Sequence, residues 1–229
     1  MVEFDLCVIT CRGEGLKHGH MAELRRGHIE VARAALEGGA RLIQLREKRL
    51  EGRALWGVAQ AMRALTHKYG AALIVNDRVD IALAAEADGV HLGQEDIPLA
   101  VARRLLGSEA VIGVSVSSEK EAEAAEKEGA SYVSVGSIFP TASKSDAGEA
   151  IGVEPLSRIK RVVGLPVLAI GGVNCDNVQA VIRAGADGVA VISAIAEAED
   201  MVEATSRLKS LIAEARGGQG VQEQFHDTA

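Results

Sequence analysis

Several stretches of the sequence carry residue types suited to handling phosphate. In Gln44-Leu45-Arg46-Glu47-Lys48, the two-residue period of a strand puts Gln44, Arg46 and Lys48 on one face, with Ile43 and Leu45 on the other. Two converging cations are costly without an anion, so a phosphorylated ligand is the simplest partner. A structural ion network with Glu47 or a neighbouring strand's carboxylate is the alternative. Asp77 follows Ile74-Val75-Asn76, and Asp96 lies in His91-Leu92-Gly93-Gln94-Glu95-Asp96-Ile97-Pro98. Both would stand at the tops of adjacent strands. Two carboxylates close to two cations suit Mg²⁺, which takes one or two carboxylates together with water and ligand phosphates. Each Asp taken singly also reads as a helix cap, Asp96 before a Pro in the first turn and Asp77 at the start of the third helix. His91 reads as a packed or hydrogen-bonded residue rather than as a ligand or base.

A second set of residues is hydroxylic or glycine-rich. Ser115 ends Val111-Ile112-Gly113-Val114-Ser115. Residues 136–148 offer Thr141 and Ser143 as donors and Lys144 as a charge, a composition that also fits a solvated surface loop. Phe139-Pro140 argues for order there, because aromatic residues are scarce in this chain. Gly171-Gly172 and Ser193 follow two late strand candidates, where backbone N–H groups approach phosphate in many barrels. A tight turn that needs positive φ is the alternative for the glycine pair. His18 and His20 lack a third ligand nearby, Cys7 and Cys11 read as core or near-core, and the acidic run 119–128 reads as a solvated helix face.

The elements that must position these residues are legible from periodicity. Eight short apolar segments, 6–10, 42–46, 73–75, 90–92, 111–114, 132–135, 167–170 and 189–192, alternate with amphipathic stretches such as 53–69, 99–106, 119–128, 155–163 and 178–184. Gly38, Gly70, Gly107, Gly129 and Gly185 read as left-handed caps between helix and strand. Eight strand–helix units with short loops predict an α/β fold, a single-domain (β/α)8 barrel over 1–216. A doubly wound sheet would carry GxGxxG after a strand, and none is present. The segment 217–229 has no periodicity and reads as a disordered tail.

Composition narrows the function. With 25 Lys and Arg against 32 Asp and Glu, the net charge of −7 disfavours nucleic acid as a partner. Three cysteines without a CxxC pair give neither a disulfide framework nor a zinc site. No apolar run is long enough for a spanning helix and the first residues are not a signal peptide, so a cytoplasmic protein without a membrane partner is expected. The sequence is compatible with a homo-oligomer.

The ordered set of motifs resembles the thiamine phosphate synthase (thiamine-phosphate pyrophosphorylase) family: Gln44 to Lys48, Asn76-Asp77, His91 to Pro98, Gly113-Val114-Ser115, Gly136 to Lys144 and Ile170-Gly171-Gly172. The resemblance spans nearly the whole chain. It implies a (β/α)8 barrel that joins a pyrimidinylmethyl diphosphate to a thiazole phosphate, releasing pyrophosphate with Mg²⁺. It assigns Gln44, Arg46, Lys48, Asn76, Ser115 and Lys144, with Leu45 and Glu47 in the same segment, to the pyrimidine diphosphate. Arg46, Ser115 and Lys144 are its catalytic residues, and Asp77 and Asp96 its metal ligands. Thr141, Ala142, Ser143, Gly172, Ile192 and Ser193, joined by Gly171 from the loop argument, would take the thiazole phosphate.

The chain departs from the family pattern at Cys11, where Asp is common, at Ser117, where His is frequent, and at Ser143, where Thr is usual. A thiazole tautomerase of the same fold would need neither Asp77 nor Asp96 and typically has His at the position of Ser137. A non-catalytic binding protein would have lost Arg46, Asp77 or Lys144. All three are present.

Overall fold

The Val- and Ile-rich segments form eight parallel strands that close on themselves in the order of the sequence. The computed structural model describes residues 2–11, 27–143 and 148–222. The first half comprises β1 (Leu6–Cys11), α1 (His28–Glu37), β2 (Leu42–Arg46), α2 (Gly52–Lys68), β3 (Ala72–Asn76), α3 (Val79–Ala84), β4 (Gly89–Leu92) and α4 (Leu99–Leu106). The second comprises β5 (Val111–Val116), α5 (Glu119–Lys127), β6 (Tyr132–Val135), α6 (Glu154–Val162), β7 (Val167–Ile170), α7 (Val178–Arg183) and β8 (Gly188–Val191), then the short α8 (Ser193–Ala196) and the long α9 (Met201–Gln222). Pairing of Leu6 with Val189 closes the ring. This is the expected (β/α)8 barrel. No helix among the described residues is long and apolar enough to cross a membrane.

Strand alternation sorts the core into two layers. Val8, Ile43, Leu45, Leu73, Val75 and Val189 face outward and pack against the helices. Cys7, Ile9, Leu42, Ile74, Leu168 and Ala190 face inward. The largest fully buried side chain among the described residues, Tyr132, lies in the inner layer. Its ring occupies the space left by Gly113, where a Cβ would stand 2.1 Å from the Tyr132 ring. A barrel interior is thus filled by side chains rather than left as a pore.

Two expectations are corrected. Gly38 has an ordinary φ of −74, and the left-handed residue is the next one, Gly39, at φ 99. Gly38 serves close packing instead, since a Cβ there would lie 2.5 Å from Thr205 Cβ on α9. Helix α9 also runs through Gly217, where the sequence predicts a structureless tail, to Gln222. Residues 223–229 lie outside the described residues.

Candidate active site

The polar residues gather where such barrels place chemistry, at the carboxyl ends of the strands. On β2 the alternation holds: Gln44 and Arg46 turn inward and are both buried. Gln44 faces a small enclosed space bounded by Cys7, His91, Tyr132 and Ser134. Its Oε1 has no hydrogen-bond partner among the described residues. Arg46 donates from Nη1 to Cys11 Sγ at 3.5 Å. Lys48, beyond the strand, pairs with Asp77 at 2.8 Å. Asp77 is thus the neighbouring strand's carboxylate that the ion-network alternative named, here as the partner of Lys48. Leu45 packs in the outer layer, and the Glu47 side chain turns to His28, so neither presents its side chain to the mouth.

The two aspartates are not helix caps. Arg78 stands at the N-cap of α3 and Pro98 at that of α4, neither with a side-chain cap bond. Asp77 has φ 62, in the left-handed region, and its N–H donates to the His91 carbonyl at 2.9 Å. Such a conformation in a non-glycine residue costs free energy and concentrates at functional sites. Asp96 Oδ2 accepts from the Gly93 N–H at 2.7 Å. Burial raises the Asp96 carboxyl above the usual carboxylate range, and the neighbouring Asp77 adds to the rise, against the Gly93 N–H and Lys48. No cluster of three or more His, Cys, Asp or Glu able to hold a metal occurs among the described residues. A two-carboxylate set is nevertheless what Mg²⁺ uses when phosphate and water complete its shell.

Across β4, β5 and β6 runs a polar network that the sequence did not reveal. His91 Nδ1 lies 2.9 Å from the Tyr132 hydroxyl and its Nε2 2.9 Å from Ser115 Oγ. Ser115 Oγ in turn lies 3.4 Å from Ser134 Oγ. His91 is the hydrogen-bonded residue expected, and its partner Ser115 is oriented by it. Burial pushes the Tyr132 phenol well above its ordinary range, Cys7 adds to the rise, and the Gln44 amide partly offsets it. The available signal was positional: His91 lies between outward Val90 and Leu92 on β4, so its side chain must point in.

The opposite side of the mouth is built from hydroxyls and glycines. Ile138 N–H donates to the Ile170 carbonyl and Phe139 N–H to the Gly171 carbonyl, so the segment after β6 is laced to the end of β7. Phe139 packs against the outer core, which agrees with an ordered segment up to Ser143. Gly171 and Gly172 have φ 96 and 65, and a Cβ on Gly172 would come 2.7 Å from the Pro140 carbonyl oxygen. Close approach and positive φ thus both require glycine. Ser143 Oγ donates to Ser193 Oγ at 2.9 Å, and Ser143 N–H to Thr141 Oγ1 at 3.2 Å. A cavity of about 280 Å³ spans from Ser115 and Ser134 to Thr141, Ser143, Gly171, Gly172, Ile192 and Ser193. A shallower one of about 430 Å³ adds Ala142. Asn76 ends β3 in register with His91. Lys144, His18 and His20 lie outside the described residues.

Comparison with known proteins meets this geometry. The family described as Thiamine monophosphate synthase matches residues 14–195. The chain belongs to the thiamine monophosphate synthase family. It is similar to the "Thiamine-phosphate synthase" of Moorella thermoacetica, 54% identical over 192 residues, covering 84% of this chain and 91% of that one. It is similar also to the protein of the same name from Methanocella arvoryzae, 45% identical, with 94% and 98% covered. Among solved structures, a thiamine phosphate pyrophosphorylase from Pyrococcus furiosus superposes with a TM-score of 0.81 at 43% identity, covering 93% of this chain and 97% of that chain. The chain is thus an enzyme of the transferase class. Within this thiamine monophosphate synthase barrel, the structure unites Gln44, Arg46, Lys48, Asp77, Asp96 and Ser115 on one side with Thr141, Ser143, Gly172 and Ser193 on the other.

Proposed function

We propose that this protein condenses 4-amino-2-methyl-5-(diphosphooxymethyl)pyrimidine with 4-methyl-5-(2-phosphooxyethyl)thiazole, forming thiamine phosphate and pyrophosphate. The observation that carries the reading is two unlike polar clusters across one mouth, one of cations and carboxylates, the other of hydroxyls and glycine backbone.

The diphosphate lies against Arg46 and Lys48, with Ser115 held at its edge by His91. The orphaned Oε1 of Gln44 is an acceptor in want of a donor, and the pyrimidine amino group supplies one. The thiazole phosphate takes hydrogen bonds from Ser143, Ser193 and the backbone around Gly172. The raised Asp96 beside Asp77 is a donor set that a divalent cation relieves, so the residues fit Mg²⁺. Bound there, Mg²⁺ supplies positive charge to the diphosphate oxygens.

The reaction is dissociative. The bond from the pyrimidine methylene to the diphosphate oxygen breaks with both electrons on oxygen. Arg46 and Lys48 already face that growing charge, and preorganised charge of this kind is commonly the largest catalytic contribution. The thiazole nitrogen then gives its lone pair to the methylene cation. No proton moves in that bond formation, so no strong base is required. Anchoring the thiazole by its own phosphate holds the nitrogen within reach before water intercepts the cation. Incubation of the protein with both substrates and Mg²⁺ is expected to yield thiamine phosphate; no product at saturating substrates would sink the reading.

A further inference from the structure

Glu47 stands between the two cations of the diphosphate segment, yet its side chain is only 2% exposed and is directed at His28. Its Oε2 lies 3.2 Å from His28 Nε2, and its Oε1 accepts the Arg49 N–H at 2.7 Å. An ionised carboxylate only accepts, so with Glu47 ionised the hydrogen of this bond sits on His28 Nε2. His28 is the first residue of α1 and equally buried, and its Nδ1 lies 2.8 Å from Thr10 Oγ1 on β1. The Thr10 hydroxyl donates to the carbonyl of Gln44 at 3.3 Å. One chain of contacts therefore begins at Gln44, passes through Thr10 and His28, and returns to the same segment at Glu47 and Arg49.

Strand β2 ends at Arg46, so ladder pairing does not hold the residues after it. A backbone leaving a sheet is ordinarily free to rotate. Here Glu47 is drawn to the helix side, and alternation then directs Lys48 to the opposite, mouth side, which Arg46 already takes within the strand. We infer that His28 and Glu47 are a positioning pair for diphosphate recognition: their buried contact extends the strand's alternation past Arg46, its last paired residue, and thereby aims Lys48. The inference rests on the functional reading above, because it takes the diphosphate as the ligand of those cations. It also revises the role of Glu47, which acts through its neighbours rather than by touching substrate.

The test compares wild type with Glu47→Ala, His28→Ala and the conservative Glu47→Gln and His28→Gln. It reads pyrophosphate affinity with Mg²⁺ by calorimetry, KM for each substrate, and the thermal melt. Small misplacements of charged groups commonly cost one to two orders of magnitude, so either Ala variant is expected to weaken pyrophosphate about tenfold and to raise the pyrimidine KM alike. The KM for the thiazole phosphate stays within about twofold, because the pair does not touch that side of the mouth. His28→Gln, which keeps a donor toward Glu47, recovers most of the loss. If an Ala variant does not fold, Glu47→Gln carries the test, with pyrophosphate weakened about threefold by loss of the charged acceptor. Unaltered pyrophosphate affinity in a folded variant, or an equal rise in both KM values, overturns the inference. A wild type that binds pyrophosphate yet makes no thiamine phosphate would instead overturn the functional reading, leaving the pyrophosphate comparison to decide the positioning role.

Discussion

Lys48 Nζ and Asp77 Oδ2 meet at 2.8 Å between the ends of β2 and β3, with the lysine side chain 43% exposed. An exposed pair of this kind contributes little to stability, about 0–1 kcal/mol. Its consequence is positional: the carboxylate holds the ammonium at the mouth. Lys48→Ala is expected to leave the melting temperature nearly unchanged while weakening the pyrimidine diphosphate by about tenfold, the scale of a lost charge-assisted hydrogen bond. Substrate titrations beside a thermal melt check this, and a large stability loss without a KM change would contradict it.

Asp96 carries the opposite balance. A carboxyl raised in the folded state binds its proton more tightly folded than unfolded, so its ionisation disfavours the fold. That cost is fully present above the folded pKa and disappears as pH falls to the unfolded value. Metal-free protein should therefore gain stability from Asp96 on acidification through that window. Asp96→Asn, which keeps an oxygen for the Gly93 N–H, is expected to raise the metal-free melting temperature and abolish turnover. It should also abolish the upward shift in melting temperature that Mg²⁺ is expected to give the wild type. Melts with and without Mg²⁺ across pH decide it.

Tyr132 and His91 form a buried hydrogen bond inside the barrel. Tyr132→Phe keeps the ring packed against Gly113 but removes the partner of His91 Nδ1. A buried polar group left unpaired costs about 1–3 kcal/mol, which urea denaturation resolves. Ser115, the other partner of His91, then loses orientation, and turnover is expected to fall with it.

Ser193 and Ser143 test the second anion site proposed above. Ser193→Ala removes the acceptor of Ser143 and a hydroxyl facing the cavity. The KM for the thiazole phosphate is expected to rise about tenfold, with that for the pyrimidine diphosphate unchanged. Equal changes in both would deny two separable sites.

The barrel was legible because parallel strands read as near-continuous apolar runs, and polar intrusions at their ends then stood out. Arg46 and Lys48 were readable from the period of two alone. Glu47 was not: its neighbours lie one residue away in sequence, but its partner His28 lies on helix α1, a contact no local pattern encodes. The caps suggested for Asp77 and Asp96 failed for the same reason, because the positive φ of Asp77 and the Gly93 bond of Asp96 arise from how adjacent loops meet. Gly38 shows the converse, a glycine whose sequence position suggested a cap but whose need comes from α9 packing across it.

The central claim is that diphosphate departure and thiazole capture occur across one mouth. Its most direct test follows pyrophosphate and thiamine phosphate together, with both substrates and Mg²⁺ and with each component omitted in turn. The account predicts one pyrophosphate for each thiamine phosphate and no product when either substrate is omitted. A protein that forms no thiamine phosphate, or forms it without pyrophosphate, would contradict it.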